Sequence, residues 1–314
     1  MKRLVFTLLL VTSPFLRAAD WPGLPTRDQN PLLQGYLIPA QPVLSERDGW
    51  SRGLSLFITN TYQTDQSPRQ SLIIDAETTR LDLQLGYRKD RWSFGVNLPL
   101  VDTRGGQLDR LIIDWHDFFG LPQGGRNQAP LDTLQMSWTV DGQQRVDIRK
   151  PVSGIGDLQL SIGYQAGPSD EFWLALELPS GNDPLLSNDG VDLAVWWRRK
   201  GDPGARVQGY GSLGLSLMQD GGVLENHMKQ SLLFAQAGIR FRWNPSIEGL
   251  FQIDAHTPLV KDSEVDGLDS SLQGQFGLRF PDLIKGCRLD LFFSEDIWPG
   301  HAPDITFGLS LSPA

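Results

Sequence analysis

The segment around residue 116 brings together residue types that often bind metals or transfer protons. It reads Asp114-Trp115-His116-Asp117-Phe118, and carboxylates with an imidazole are common metal ligands and acid–base groups. Neighbouring residues on a helix point in different directions, so these polar groups would not converge on one ion without help from elsewhere. The apolar residues here follow helical spacing, namely Leu108, Leu111, Ile112, Trp115 and Phe119, with Gly120 and Pro122 as a stop. We therefore expect a short amphipathic helix in a loop.

A hydrolase would need a nucleophile and a base within hydrogen-bond reach. The sequence contains no Gly-x-Ser-x-Gly motif. His256 is near Ser270 and Ser294 in the predicted topology, but the pattern points His256 inward and Ser270 outward. The candidate bases are His116, His227, His256 and His301. No catalytic residue is predicted.

Two further features bear on metal binding. Cys287 is the only cysteine, which excludes an internal disulfide and a cysteine-based metal cluster. The loop 261–269 carries several carboxylates, and calcium favours such oxygen ligands, although solvated surface charge explains them as well. These carboxylates are Asp262, Glu264, Asp266 and Asp269. We predict no metal site and no cofactor.

From residue 51 onward, apolar and polar residues alternate with the period of a β-strand. In 79–87, Leu81, Leu83 and Leu85 share one face, while Arg80 and Asp82 share the other. About twelve strands follow, most near the length that a tilted membrane strand requires. They lie near 52–62, 78–88, 91–101, 156–166, 171–179, 190–199, 205–218, 232–243, 246–256, 270–280, 286–294 and 304–312.

Aromatic residues flank the short turns and stay in step with the apolar face. An apolar band edged by aromatic rings is the outer surface of a transmembrane β-barrel. The predicted membrane girdle consists of Tyr87, Trp92, Tyr164, Phe172, Trp197, Trp243 and Phe280. This arrangement predicts that the apolar stripe faces lipid.

The opposite face is polar and rich in glycine. An arginine facing lipid at mid-depth would cost about 2–4 kcal/mol, which argues that this face points inward. Inward glycines fit a sheet that bends or an interior that something else fills. The charged residues predicted to line the lumen are Arg80, Asp82, Glu177, Asp192, Arg198, Arg240, Arg242, Asp254, Arg279, Arg288 and Asp290.

The connections alternate between short and long, as they do in outer-membrane barrels with short periplasmic turns and long outer loops. The short links are at 89–90, 167–170, 200–204, 244–245 and 281–285, and the long ones include 63–77 and 102–155. Within 102–155 the predicted helix could constrict the lumen, cap the mouth or lie in the lipid interface. Asp141-Gly142 signals a hairpin there, either a small projection or an extension of two strands.

The N-terminal residues and the net charge complete the picture of domains and partners. Lys2, Arg3, an apolar run over 4–11 and Ala18-Ala19 are typical of a signal peptide covering 1–19. Residues 20–50 are rich in proline and should be extended, as a lumen plug or as a periplasmic tail. The barrel is expected over 51–314. A formal charge of −9 without a basic run argues against nucleic acid as a partner.

Several motifs resemble an uncharacterised family of Gram-negative outer-membrane proteins. They are Asn30-Pro31-Leu32-Leu33 with Gly35-Tyr36, Gly105-Gly106-Gln107-Leu108-Asp109 leading into Trp115-His116-Asp117-Phe118-Phe119-Gly120-Leu121-Pro122, and Gly125-Arg126. Leu178-Pro179-Ser180-Gly181-Asn182-Asp183 is similar to a signature of barrels linked to meta-pathway degradation of phenols. The first resemblance implies a fold and a compartment. The second implies passage of small hydrophobic or aromatic compounds.

One departure from barrel proteins concerns assembly. Many end in an aromatic residue that the barrel-assembly machinery recognises, whereas this chain ends at 311–314 with Leu-Ser-Pro-Ala and has Phe307 earlier in the last strand.

The sequence thus predicts an all-β, antiparallel, up-and-down transmembrane barrel with a short helix in one long extracellular loop. A narrow channel or uptake pore for small solutes in outer-membrane lipid is the leading function. A hydrolase and a structural or adhesive anchor that presents loops remain open, as does a soluble β-sandwich.

Overall fold

The alternating segments form strands in the computed structural model, which describes residues 21–313 apart from 43, 46, 121, 122, 124 and 285. The predicted signal peptide lies outside the described residues. The strands are β1 (Gly49–Gln66), β2 (Gln70–Lys89), β3 (Trp92–Arg104), β4 (Gln135–Val140), β5 (Gln143–Ile148), β6 (Val152–Ile155), β7 (Leu158–Gln165), β8 (Asp170–Leu178), β9 (Asp192–Lys200), β10 (Val207–Leu217), β11 (Ser231–Asn244), β12 (Ile247–His256), β13 (Ser271–Ile284), β14 (Cys287–Asp296) and β15 (Ile305–Pro313).

Twelve strands, the fifteen less β4, β5 and β6, form a closed antiparallel barrel. Each strand pairs with its two neighbours in the ring. β3 pairs with β2 on one side and with β7 on the other. The ring closes between the first and last strands, where Phe57 lies opposite Gly308. Closure leaves no edge strand within this ring of twelve, which a wall in lipid requires. The twelve predicted strands therefore all lie in the barrel.

The first two strands are longer than predicted. The loop expected over 63–77 is wrong, because β1 and β2 continue their ladder to the pair Gln66–Ser71. The hairpin at Asp141-Gly142 is confirmed, with both residues at positive φ. It does not project separately, since β4 pairs with residues 70–75 of β2 and extends the wall beyond the end of β3.

Side chains alternate between the two sides of the wall. Along β10 the residues Gln208, Ser212 and Ser216 are buried, while Leu213 and Leu217 are exposed. Inward glycines leave room for bulky neighbours. A side chain at Gly308 would collide with the ring of Phe292, and one at Gly163 would lie 2.6 Å from the ring of Trp173. These glycines therefore allow aromatic side chains to fill the interior.

The girdle residues near the short turns form a row across adjacent strands. Trp92 lies opposite Tyr164, Tyr164 opposite Phe172, and Phe172 opposite Trp197. Tyr87 extends the row to Trp50, with ring centroids 5.0 Å apart. Trp243 is exposed and Phe280 is half-buried on the same outer side. An apolar wall edged by such a row has the organisation of a membrane barrel.

The predicted loop helix is α1 (Asp109–Phe119), which ends at Gly120 in the left-handed conformation. Its Asp109 accepts a hydrogen bond from Asn60 at 3.0 Å, and Asn60 shares the outward parity of Leu56 and Ile58. The helix therefore lies against the outer side of the barrel near the long loops. Within the described part of the chain, no helix combines the length and apolar character needed to cross a membrane.

Candidate functional site

The described residues of the N-terminal segment 21–45, called the plug below, occupy the lumen. Every residue from 21 to 39 is buried. The plug contacts inward side chains from β2, β9, β10, β12 and β13, on different sides of the ring. It rises from the short-turn end to the long-loop end and returns to enter β1. Two placements are predicted for this segment. The structure shows the lumen plug and not the periplasmic tail.

At the short-turn end the plug is held by its backbone. The guanidinium of Arg279 donates to the carbonyls of Pro22 at 2.9 Å and Gly23 at 3.1 Å. The same group pairs with Asp290 at 2.7 Å, which holds it in place. Trp21 lies under the guanidinium of Arg198, 4.8 Å from the ring.

Midway, polar side chains connect the plug to β12. The backbone N–H of Leu24 donates to Oε1 of Gln252 at 2.9 Å, and the hydroxyl of Thr26 donates to Asp254. Arg27 turns back on the plug and donates to the carbonyl of Leu33 at 2.8 Å. These bonds satisfy polar groups that burial would otherwise penalise.

The upper turn of the plug docks against the long loops. Asp28 lies 2.9 Å from Nε2 of His256, and Asn30 donates to the carbonyl of Gly267 at 2.9 Å. The hydroxyl of Tyr36 donates to the carbonyl of Gly221 at 2.9 Å and accepts from the N–H of Leu224 at 2.8 Å. Apolar residues of the plug, loops and outer strands pack around this turn, including Leu32, Leu33, Leu37, Leu72, Trp138, Leu186, Met228, Val260 and Leu268. This apolar cap lies at the long-loop end of the lumen.

The returning part of the plug makes fewer contacts. Gln41 donates to Ser212 at 3.1 Å and accepts from Nε1 of Trp196 at 3.0 Å. Leu44 lies against the positions where Gly86 and Gly95 would carry a side chain. Two glycines on adjacent strands thus provide the space in which the plug leaves the lumen.

Small cavities remain between plug and wall. One beside Pro39 and Gln84, and another beside Thr26 and Gln236, each measure about 30 Å³, room for about one or two waters. Several buried polar atoms along this boundary have no hydrogen-bond partner among the described residues: Trp21 Nε1, Gln29 Nε2, Gln84 Oε1, Asn97 Oδ1, Gln236 Oε1 and Gln275 Oε1. Such atoms are normally satisfied by water, so the boundary is suited to hydration.

The charged residues predicted to line the lumen lie on the inward side of the strands. Arg242 and Asp254 are partly exposed, and the other nine are buried: Arg80, Asp82, Glu177, Asp192, Arg198, Arg240, Arg279, Arg288 and Asp290. Most belong to ion pairs within the wall. Arg80 pairs with Asp82 at 2.9 Å and Arg198 with Glu171 at 2.5 Å.

The loop segment 114–118 does not constrict the lumen. Asp114, Trp115, Asp117 and Phe118 are exposed on α1, and His116 is half-buried. Asp117 accepts a hydrogen bond from Gln123 at 2.7 Å. The polar groups diverge as helical geometry requires, and no grouping of three metal-ligating side chains occurs among the described residues.

A buried charge cluster holds α1 to the rim. Arg126 donates to Asp109 at 2.6 Å and to Asp304 of the last long loop. Asp304 also accepts from the backbone N–H of Tyr62 at 2.8 Å. Burial raises the pKa of Asp304 above its ordinary value, and the charge of Arg126 opposes that rise.

His256, His301 and the acidic loop 261–269 lie at the long-loop end, where they contact the plug and neighbouring loops. His256 contacts the plug and the carbonyl of Thr257 at 2.8 Å, not a serine nucleophile. Glu264 accepts from Ser67 at 2.8 Å, and Asp266 lies 3.6 Å from Nε2 of His301. These carboxylates thus connect neighbouring loops.

The sequence prediction missed three charged residues that lie in the lumen, namely Arg27, Asp28 and Glu248. Glu248 has the same parity as Asp254, so strand alternation could have identified it. Arg27 and Asp28 lie in the proline-rich segment, where no periodicity marks a side of the chain. Their role depends on the position of the plug, which local sequence does not encode.

The closed twelve-stranded barrel with a polar interior has the fold of outer-membrane channels. An outer membrane channel from Pseudomonas putida F1 aligns with a TM-score of 0.58 and 12% identity, over 86% of this chain and 97% of that one. At this identity the likeness concerns the fold. The chain belongs to the protein family of unknown function DUF3187, whose profile matches residues 4–313. No curated protein matches the chain significantly.

Two more distant barrels were also found. The P. putida toluene transporter TodX aligns at a TM-score of 0.44 and 11% identity, over 85% of this chain and 90% of that one. The NanC porin aligns at 0.42 and 9% identity, over 82% and 99% respectively. Both barrels are structurally more distant from this chain than the P. putida F1 channel.

Proposed function

We propose that this protein is an outer-membrane channel for small solutes, closed at rest by its plug. The observation that carries the proposal is that the plug contacts the barrel wall through side chains and not through a β-ladder. The described residues of the plug join no strand ladder of the barrel. Away from the apolar cap the plug is held by side-chain hydrogen bonds along a polar boundary that contains small cavities. Water can replace such bonds at small net cost, so the plug is suited to displacement.

The proposed orientation follows the lengths of the connections. The short turns would face the periplasm and the long loops the exterior, with the apolar wall in outer-membrane lipid. Export by the predicted signal peptide and insertion by the barrel-assembly machinery belong to the same proposal. The polar lumen favours polar solutes over the hydrophobic or aromatic compounds that the weaker resemblance implies.

A reversible cross-link tests whether the plug is the gate. The terminal methyl carbons of Leu24 lie 3.2 and 3.3 Å from the position of a β-carbon on Gly277, so cysteines at these positions would face each other, and loss of free thiols on oxidation would verify that the disulfide has formed. We would introduce Leu24→Cys and Gly277→Cys in a Cys287→Ser background and measure liposome swelling and bilayer conductance. The expected result is permeation after reduction and little after oxidation.

Each single-cysteine variant serves as the control, since its permeation should not depend on redox state. Equal permeation by the reduced and oxidised double variant would show that the plug is not the gate. A complete lack of permeation in the wild-type protein and in all variants would reject the channel itself.

The apolar cap favours a second candidate, an anchor that presents loops to a partner. A cap of buried residues such as Trp138, Leu186 and Met228 gives the loops a packed core, which a display surface requires. A channel that never conducts, in a protein whose loops bind a cell-surface component, would support this alternative.

A further inference from the structure

Helix α1 exposes two stripes of different chemistry beside the side that docks on the wall. Leu111, Trp115 and Phe118 share one helical face, since they are spaced i, i+4 and i+7. All three are exposed, and Phe118 is 81% exposed. A polar stripe lies one residue back, about 100° around the helix, and consists of the exposed Arg110, Asp114 and Asp117. Adjoining apolar and polar faces are typical of a helix that lies in a membrane interface.

Contacts along α1 show which strands it crosses. The backbone N–H of Leu108, just before the helix, donates to Glu77 of β2 at 3.1 Å. The first helical residue accepts a hydrogen bond from Asn60 of β1, and His116 interacts electrostatically with Glu295 of β14. The helix therefore runs around the outside of the barrel from β2 to β14.

The wall residues beneath α1 form one row of the sheet. Glu77 lies opposite Asn60, Asn60 opposite Ile305, and Ile305 opposite Glu295. Asn60 and Ile305 point outward, yet both are buried, as expected for wall positions that α1 covers. The helix thus lies along the barrel surface and does not project from it.

The height of this row follows from the aromatic girdle at the short-turn end. Asn60 lies ten residues from Trp50 along β1, and Glu77 lies ten residues from Tyr87 along β2. A tilted membrane strand crosses the hydrocarbon in about 9–11 residues. The start of α1 therefore lies where the outer interface is expected.

The row comes closer to the short-turn girdle at β14. Girdle residue Phe280 lies opposite Leu289, and Glu295 is only six residues beyond Leu289. The later turns of α1 therefore lie nearer the hydrocarbon than its first turn. Two of the three apolar side chains, Trp115 and Phe118, belong to this deeper end of the helix.

The loop after β14 adds exposed apolar residues on the same side of the wall. Ile297 lies 3.3 Å from the position of a β-carbon on Gly274, and Gly274 has the outward parity of Phe276 on β13. Ile297 and Trp298 are both exposed. Outer-membrane barrels carry aromatic residues at both edges of their apolar band, and Trp115 and Trp298 occur at the edge opposite the short-turn girdle.

We propose that α1 is an interfacial anchor, with its apolar stripe inserted between the headgroups and the acyl chains of the lipid around the barrel. Ile297 and Trp298 would extend this anchor beyond β14. The proposal rests on the membrane location proposed above, and lipid is favoured as the partner because the stripe continues the lipid-facing wall. Tryptophan suits this depth, since its ring is apolar while its N–H remains near water. The anchor would hold the longest loop beside the mouth and not over it.

Site-specific fluorescence quenching tests the depth of α1. We would label Phe118→Cys with the fluorophore NBD in a Cys287→Ser background and fold the protein into phosphatidylcholine vesicles. The matched control is the same label at Asp114→Cys, on the polar stripe of the same helix. Lipid that carries a nitroxide near its headgroup should quench the label at position 118 at least about twofold more strongly than the label at position 114. Iodide in the water should quench the control label more strongly.

A label at Leu213→Cys, on the exposed middle of β10, reports separately whether the wall lies in lipid. Quenching of that label by a nitroxide deep in the acyl chains, without lipid quenching at position 118, would overturn the anchor and leave the membrane location intact. Quenching by lipid at neither position would reject both. Protection of position 118 from iodide and from lipid nitroxide alike would indicate a protein partner or a second copy, which would also overturn the lipid anchor. Heat-dependent gel mobility would verify that each variant is folded.

Discussion

Asp28 and His256 join the plug to the barrel wall at the long-loop end, with Oδ2 of Asp28 2.9 Å from Nε2 of His256. Both side chains are almost fully buried. They are 228 residues apart in the chain. This contact is a buried side-chain tie between the upper turn of the plug and a barrel strand.

Asp28→Asn should loosen this tie, because the amide removes the negative charge and keeps the shape. A lost charge-assisted hydrogen bond corresponds to a roughly tenfold shift toward a displaced plug. We expect more frequent channel openings in planar bilayers. Asp90→Asn changes an exposed turn carboxylate and should leave conductance unchanged. Identical conductance in the two variants would show that the contact does not restrain the plug.

Arg126→Gln should detach α1 from the rim. Arg126 is buried against Asp109 and Asp304, and removing one partner of a buried pair costs about 3–5 kcal/mol. Limited proteolysis should therefore cleave within 105–134 much faster than in the wild type. Arg149→Gln breaks the exposed pair with Asp147 and should have no such effect.

The same variant should also respond differently to pH. Without Arg126, burial raises the pKa of Asp304 further, since the opposing charge is gone. A carboxyl whose pKa is higher in the folded state binds its proton more tightly there, so lowering the pH stabilises the fold. Mild acidification should slow the proteolysis of Arg126→Gln. Faster cleavage at lower pH would contradict this assignment.

Gly308→Ala should destabilise the barrel by about 1–3 kcal/mol, because the new methyl group overpacks against the buried ring of Phe292. Urea-dependent folding into vesicles measures the free energy. Combining the change with Phe292→Leu should recover part of the loss, as expected for residues in contact. Gly209→Ala, at an exposed position with open space, is the control.

Leu213→Arg should hinder insertion, because Leu213 is 57% exposed near the middle of β10. A lipid-facing arginine at mid-depth costs about 2–4 kcal/mol, again measurable by folding into vesicles. Leu213→Met should be nearly neutral. A small effect of the arginine in vesicles would place this face outside the hydrocarbon.

The sequence predicts the barrel well because each strand in lipid must alternate apolar and polar residues. It fails above the membrane, where the outer side of β1 continues through Thr64 and Gln66. An outer face in water needs no apolar residues, so these positions look like a loop. The plug has no periodicity, and its place in the lumen depends on groups such as Arg279 and Gln252 that are distant in the chain.

The pairing of β1 with β15 has a consequence for the order of assembly. The segment over 21–45 is surrounded by a ring whose final ladder joins the first strand to the last. It leaves the ribosome before any of the twelve strands, yet its enclosure is complete only when Phe57 meets Gly308. Either the ladder between β1 and β15 forms around a segment that already lies in the lumen, or the segment enters the lumen after that ladder has formed.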